Sequence, residues 1–371
     1  MDDNEAIRQL ASGAAWARFC DELKAAGQDL VAPGRPSAPL DLAEGHRFLT
    51  QMLRSALELI MEGGDAAYPW LSKSLHETMK LGWDNPDNIH HNAYISERHE
   101  YRLSGVLGEA HYVSFAVYGG SYGKSESGRR TVAYVEASEL AVAPDGRFEV
   151  VLSARQHPGN WIRLEEGSTS LMIRETFWDR RVEQPGRFRL ERLDAAPPPT
   201  LTPAFVASAL SRAARYIKGS NQLFFRFSDE FRRQNTNSFA LSERERMMAN
   251  QGIPDNVMAS GWFKLAEDEV GVIDFTPPEG YYWMFVLSDY WGGSFDYRYR
   301  PIHTNKRRAR RRADGSVRLL LAPRDPGVAD ANWMDTAGHR EGVMQFRWVK
   351  CETPLAPPMR IVKFAELGAL A

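Results

Sequence analysis

The sequence has 371 residues, 43% hydrophobic and 25% charged, which is normal for a globular protein long enough to hold two domains. A net charge of −2 excludes the global electrostatic footprint of a nucleic-acid binder. Cys20 and Cys351, far apart, suggest neither a disulfide framework nor a zinc cluster. No apolar run approaches the roughly 18 residues of a membrane span, and the acidic start Met1–Glu5 does not read as an export signal. The expectation is a cytoplasmic protein without a membrane or nucleic-acid partner.

Residues 4–31 read as one or two amphipathic helices, with Ile7, Leu10, Ala14, Phe19 and Leu23 on one face. A Pro/Gly break follows at Pro33–Pro36. Asp41 and Glu44 form a capping-box pattern for a helix whose apolar stripe runs from Leu42 to Ile60, and Gly63 and Gly64 end it. From Tyr94 to about Leu193 the period becomes strand-like, in short β-branched or aromatic segments separated by turn residues. Pro197–Pro199 is a stiff connector. Thr202 and Pro203 open a helix to about Ile217, a second spans 222–233, and Ser242 with Glu245 caps a third. Strand pattern returns at Trp262 and runs to the end.

Two parts of the chain repeat. Asp145–Leu152, Asn160–Trp161 and Met172–Arg174 recur as Asp314–Leu321, Asn332–Trp333 and Met344–Arg347. The offsets are 169, 172 and 173 positions (Asp145 to Asp314, Asn160 to Asn332, Arg174 to Arg347). Upstream, Glu109–Phe115 matches Glu279–Phe285 at an offset of 170. Each copy reads as an Asp-Gly turn, a strand, an Asn-Trp loop and another strand. The expected fold is mainly β with helical segments: two β-sandwich or jelly-roll-like modules from an internal duplication, each preceded by helices. The expected boundaries are a helical region 1–93, a first module 94–195, a helical connector 196–257 and a second module 258–371.

Asp84–Asp87 followed by Tyr94, the Tyr101–Gly108 segment, and the tail with Asp314, Asn332, Trp333 and Arg347 resemble the bacterial family catalogued as domain of unknown function 1214. That family often accompanies another, domain of unknown function 1254. The resemblance spans roughly residues 40–355. It implies two β-sandwich or jelly-roll-like modules and assembly into oligomers, and no established reaction.

Three clusters could carry chemistry. The polar stretch Asp84–His91 concentrates Asp, Asn and His, suited to acid–base work, with His90 foremost. A plain Asx turn explains it as well, and no metal-ligand spacing accompanies it. Asp335 and His339 could form a carboxylate–imidazole pair, and Arg347 could hold an anionic group. Asn332, Trp333 and Arg347 have counterparts in Asn160, Trp161 and Arg174, which favours a structural role for shared residues. Asp335 and His339 have none, which favours a functional one. The aromatic stretch 288–299 offers Asp289, Trp291 and Tyr297 beside Gly292 and Gly293 as pocket lining. The basic run Lys306–Arg312 lacks interleaved aromatics and reads as a solvated loop.

The expected site joins the 84–94 loop, the 289–299 stretch and the 332–347 tail. In it His339 is the acid or base, Asp335 orients it, Arg347 binds an anion, and Tyr94 and Trp291 stack on the substrate. The expected function is a cofactor-independent lyase or hydrolase acting on an apolar or aromatic small molecule. The alternative is a binding or assembly protein without chemistry. Ten tryptophans suggest more apolar surface than one chain buries, hence a homo-oligomer.

Overall fold

The computed structural model describes residues 2–120, 130–194, 197–243 and 254–370. The amphipathic start forms two helices, α1 (Asp3–Ala11) and α2 (Ala14–Leu30). Asp2 caps the first by accepting from the Glu5 amide at 2.8 Å. Gly13 breaks the pair at φ 73°, a left-handed conformation that costs glycine nothing. The third helix, α3 (Pro39–Ala56), starts two residues earlier than the capping-box pattern predicts. Pro39 occupies the first turn, so the Asp41 carboxylate is not a cap and instead faces His339 Nδ1 at 3.3 Å. The helix then widens into a π-turn over Leu57–Glu62 before Gly63.

Two modules follow, and they match strand for strand. In the first, a five-stranded sheet has the order β1 (Ser72–Leu75), β2 (Asn88–Tyr94), β8 (Ser168–Thr176), β4 (Tyr112–Gly119), β5 (Arg130–Glu136). A four-stranded sheet has the order β7 (Trp161–Arg163), β6 (Arg147–Ser153), β3 (Tyr101–Val106), β9 (Arg187–Arg192). In the second, the five-stranded order is β10 (Phe239–Leu241), β11 (Asn256–Lys264), β17 (Glu341–Cys351), β13 (Gly280–Ser288), β14 (His303–Asn305). Its four-stranded partner is β16 (Asn332–Asp335), β15 (Val317–Ala322), β12 (Glu269–Phe275), β18 (Met359–Lys363). The duplication is therefore complete at the level of topology. Each pair of sheets closes on its own apolar core: Leu103, Phe115, Val150 and Ile173 in the first, Ile273, Phe285, Leu319 and Phe346 in the second.

The conserved landmarks of the repeat are loop anchors. Asn160 bonds the Ala141 amide and the Ala141 and Glu149 carbonyls at 2.8–2.9 Å. Asn332 does the same with the Arg310 amide and the Arg310 and Arg318 carbonyls at 2.7–3.1 Å. Each following indole, Trp161 and Trp333, donates to a carbonyl at the end of the neighbouring strand. Trp333 is half-buried rather than sealed in a core.

Three sequence expectations change. Strand structure begins at Ser72, inside the segment read as helical, and the second module begins at Phe239. The helices placed at 203–217 and 222–233 are one helix, α4 (Pro203–Gln234), because Ala209, Ala213, Ile217, Phe224 and Phe225 keep one buried stripe through the Gly219–Asn221 interruption. The helix expected from Ser242 has its Ser242 end on a strand edge, bonded to Met258; the rest lies outside the described residues. Only Trp16 and Trp70 of the ten tryptophans are exposed, so tryptophan content does not by itself require a second chain. No helix among the described residues is long and apolar enough to cross a membrane.

Candidate functional site

Strand periodicity gives each five-stranded sheet two different faces. On β8, Leu171 and Ile173 enter the module core while Met172 and Arg174 point the other way. On β17, Met344 and Phe346 enter the core while Gln345 and Arg347 point out of it. The outward faces of both sheets, together with α4 and the 81–85 segment, enclose a cavity of about 500 Å³. Such a volume is in the range that takes a small organic ligand.

The wall is contributed in equivalent pairs. Strand registers put His90 opposite Arg174 and Met258 opposite Arg347. By the same registers Asn88 matches Asn256 and Asn92 matches Ser260, and all of these line the cavity. Tyr112 and Tyr282, equivalent through the 170-residue offset, meet each other with ring centroids 6.2 Å apart. The apolar part of the wall comes from α4 (Leu223, Phe224, Phe227, Phe231), with Leu75 and Tyr94 from the first module.

Two arginines dominate the polar part. Arg174 donates from Nε to His90 Nε2 at 3.0 Å and from Nη2 to Met172 Sδ at 3.2 Å, and it also bonds Tyr118. Arg347 donates to the Trp83 carbonyl and lies 3.9 Å from Met258 Sδ. Burial, then the Arg174 and Arg347 charges, hold the His90 ring well below the usual histidine range. His90 is therefore neutral, and because its Nε2 accepts from Arg174, its proton sits on Nδ1. Asp84 is also in the wall. Burial raises its carboxyl, Lys80 opposes that, and Ser294 satisfies it with two bonds at 2.9 Å.

The expected residues divide into two groups. Arg347, His90 and Tyr94 come together in the cavity. Asp335, His339, Asp289, Trp291 and Tyr297 do not line it. The expected Asp335–His339 pair is replaced by two others. Asp335 binds Arg300 at 2.8 Å, and His339 faces Asp41 and stacks on Phe295 at 4.5 Å. The intervening turn, with Ala337 at φ 54° and Gly338 at φ 87°, carries the two side chains to different neighbours. Trp291 is fully buried against α3 and donates to the Asp41 carbonyl at 2.8 Å. Asp289 accepts from the Gly292 and Gly293 amides at 2.9 Å, and Tyr297 meets Lys80 and Arg180.

Asp87, in the same polar stretch as His90, is a junction between the modules. It accepts from Tyr282 at 2.8 Å and Asn305 at 2.9 Å, and lies 3.3 Å from His303 Nε2. Burial alone would raise its carboxyl; these partners overcome that and hold it below its ordinary value. The basic run is tied down locally: Lys306 to the Gly280 carbonyl, Arg308 beside His303, Arg312 to Asp330. Among the described residues no group of three or more His, Cys, Asp or Glu side chains converges as metal ligands.

Residues missed in the sequence are Arg174, Trp83 and the α4 phenylalanines. Trp83 sits at φ 54°, left-handed for a non-glycine residue, held by its amide bond to the Gly292 carbonyl at 2.7 Å and by Arg347. Its indole packs edge-on against Phe224, Phe227 and Phe231 at 5.4–5.9 Å. The available signal is an arginine directly after a buried core residue in each copy, Ile173 before Arg174 and Phe346 before Arg347.

Residues 88–175 and 271–352 match the family described as Protein of unknown function (DUF1214), one match in each module. The chain is similar to a protein from Burkholderia cenocepacia of uncharacterized function, known from its crystal structure. Identity is 39% over 96% of this chain and 99% of that one, with a TM-score of 0.92. It is also aligned with the VPA0106 protein of Vibrio parahaemolyticus, at 11% identity over 86% of this chain and 98% of that one, TM-score 0.45. No curated protein matches it.

Proposed function

We propose that this chain, which belongs to the DUF1214 family, is a binding protein for an apolar or aromatic small molecule seated between its two modules. The observation that carries the reading is the cavity of about 500 Å³ between the five-stranded sheets and α4, with its wall of Phe224, Phe227, Phe231 and Tyr94. Binding without turnover is favoured over acid–base chemistry because His90 is neutral with its Nε2 occupied, and because Asp335 and His339 have other partners outside the cavity.

The test uses a neutral environment-sensitive fluorophore, N-phenyl-1-naphthylamine. It should bind saturably at one site, and Leu223→Trp, which fills the cavity from α4, should weaken it by at least about tenfold with an unchanged circular dichroism spectrum. No saturable binding, or equal binding to a folded Leu223→Trp variant, refutes the reading. A second reading, a cofactor-independent lyase or hydrolase, draws on Asp84, a buried wall carboxyl whose raised pKa suits a proton donor; turnover lost in Asp84→Asn but not in His339→Ala would favour it. We also propose a cytoplasmic location and a homo-oligomeric state.

A further inference from the structure

We infer that the ligand of this cavity carries a single oxyanion group on its apolar body, and that the oxyanion is held between Arg174 and Arg347. This rests on the reading of the cavity as a ligand site and adds the chemistry of the ligand's head.

The two guanidinium groups are brought to one cavity by equivalent strands of the two modules, β8 and β17. Among the described residues no carboxylate forms an ion pair with either of them. Their partners are instead neutral: an imidazole nitrogen, two thioethers, a tyrosine hydroxyl and one carbonyl. Thioether sulfur is a weak acceptor and does little for a cation. Arg174 Nη1 and Arg347 Nε are buried donors without a partner, and so is the protonated Nδ1 of His90. Burial and the Arg174 charge push the Arg347 guanidinium below its ordinary value, while the tyrosines Tyr118 and Tyr112 hold that of Arg174 above its own against burial.

Neighbouring acids do not resolve this. Asp84 is bonded to Ser294 and faces Lys80, and Asp87 is bonded to Tyr282 and Asn305. Glu175 is bonded to the Gly186 amide and His91. Glu230 and Glu243 line the cavity from α4 and from just beyond β10. Buried cations are expensive unless an anion completes them, and a planar guanidinium fork matches carboxylate and phosphate oxygens in pairs. The apolar α4 wall next to that fork then selects an amphiphile over a small inorganic anion.

The experiment displaces N-phenyl-1-naphthylamine from the full chain with decanoate, decyl phosphate and decan-1-ol. Decanoate or decyl phosphate should compete at least about tenfold better than decanol, as expected for one charge-assisted hydrogen-bonded group, and the better of the two names the head group. Arg174→Met and Arg347→Met should each abolish that preference, bringing both anions to the level of decanol measured in the same variant. Arg174→Lys should keep part of it. Arg347 also holds the Trp83 carbonyl, so the Arg174 variants carry the test if Arg347→Met does not fold. Decanol competing as well as the anions, or the preference surviving in Arg174→Met, overturns the inference alone. Failure of the fluorophore to bind the wild-type chain overturns the cavity reading and the inference with it.

Discussion

Replacing Gly45 by alanine should destabilise the protein, and the same replacement should stabilise it once Trp291 is gone. A Cβ at Gly45, inside α3, would stand 2.8 Å from Cε2 and Cζ2 of Trp291. The indole cannot retreat: it is fully buried, tied to the Asp41 carbonyl at 2.8 Å, and backed by Phe225 at 5.3 Å and Tyr290 at 5.0 Å. Overpacking costs about 1–3 kcal/mol, against a helix-propensity gain of about 1 kcal/mol for alanine over glycine. The net for Gly45→Ala is a loss of up to about 2 kcal/mol. Trp291→Ala should itself cost about 3–5 kcal/mol. In that background the clash is absent and Gly45→Ala should gain about 1 kcal/mol. Urea denaturation of the four chains, with a common m-value, measures a coupling of about 1–3 kcal/mol. Equal effects of Gly45→Ala in both backgrounds would show that the contact does not exist. Fluorophore binding by folded Trp291→Ala should match wild type, because the indole lies outside the cavity; its loss would return Trp291 to the ligand site.

Burial first and Glu44 second raise the Asp289 carboxyl to about 7. The native chain thus keeps a proton that the unfolded chain, near 3.8, has released. Stability therefore falls as pH rises from about 4 to about 7, by at most about 1.4 kcal/mol per pH unit, and levels off above. Asp289→Asn should lack this loss, so its melting temperature relative to wild type should climb from about pH 4.5 to about pH 7.5; a pH-independent difference contradicts the assignment. Asn160→Ala and Asn332→Ala should each cost about 1–3 kcal/mol in urea denaturation, since both side chains bridge a loop to a strand; a silent change at either would mean that its bonds are not structural.

The duplication was legible because its landmarks are the residues that tie loops to strands. Asn160 and Asn332 bond equivalent backbone groups, so both copies keep them at nearly constant spacing. The sandwiches were legible from period-2 strands for the same local reason. The site was half legible. Arg347, His90 and Tyr94 are expected from the sequence and do meet, but the sequence favours Asp335 and His339 over Arg174 because they lack counterparts in the other copy. That logic holds for a site inside one module. Here the cavity lies between modules, so each copy supplies the same wall position and its binding residues come in pairs. The α4 wall was hidden for another reason: Gly219 and Asn221 suggested a break, and only packing against Trp83 and the sheets keeps the helix continuous through them.

Walls built from matched halves raise a question of orientation. If the two halves were identical, a ligand could enter either way round with equal energy, and the bound state would be a twofold mixture differing from a unique pose by only about 0.4 kcal/mol of mixing entropy. The halves are not identical. His90, with a ring N–H to offer, stands where the other copy has the thioether of Met258, and Met172 stands where the other copy has the amide of Gln345. One hydrogen bond that only the His90 side can give is enough to lift the degeneracy. Divergence at these few positions turns a symmetric chamber into one with a head and a tail.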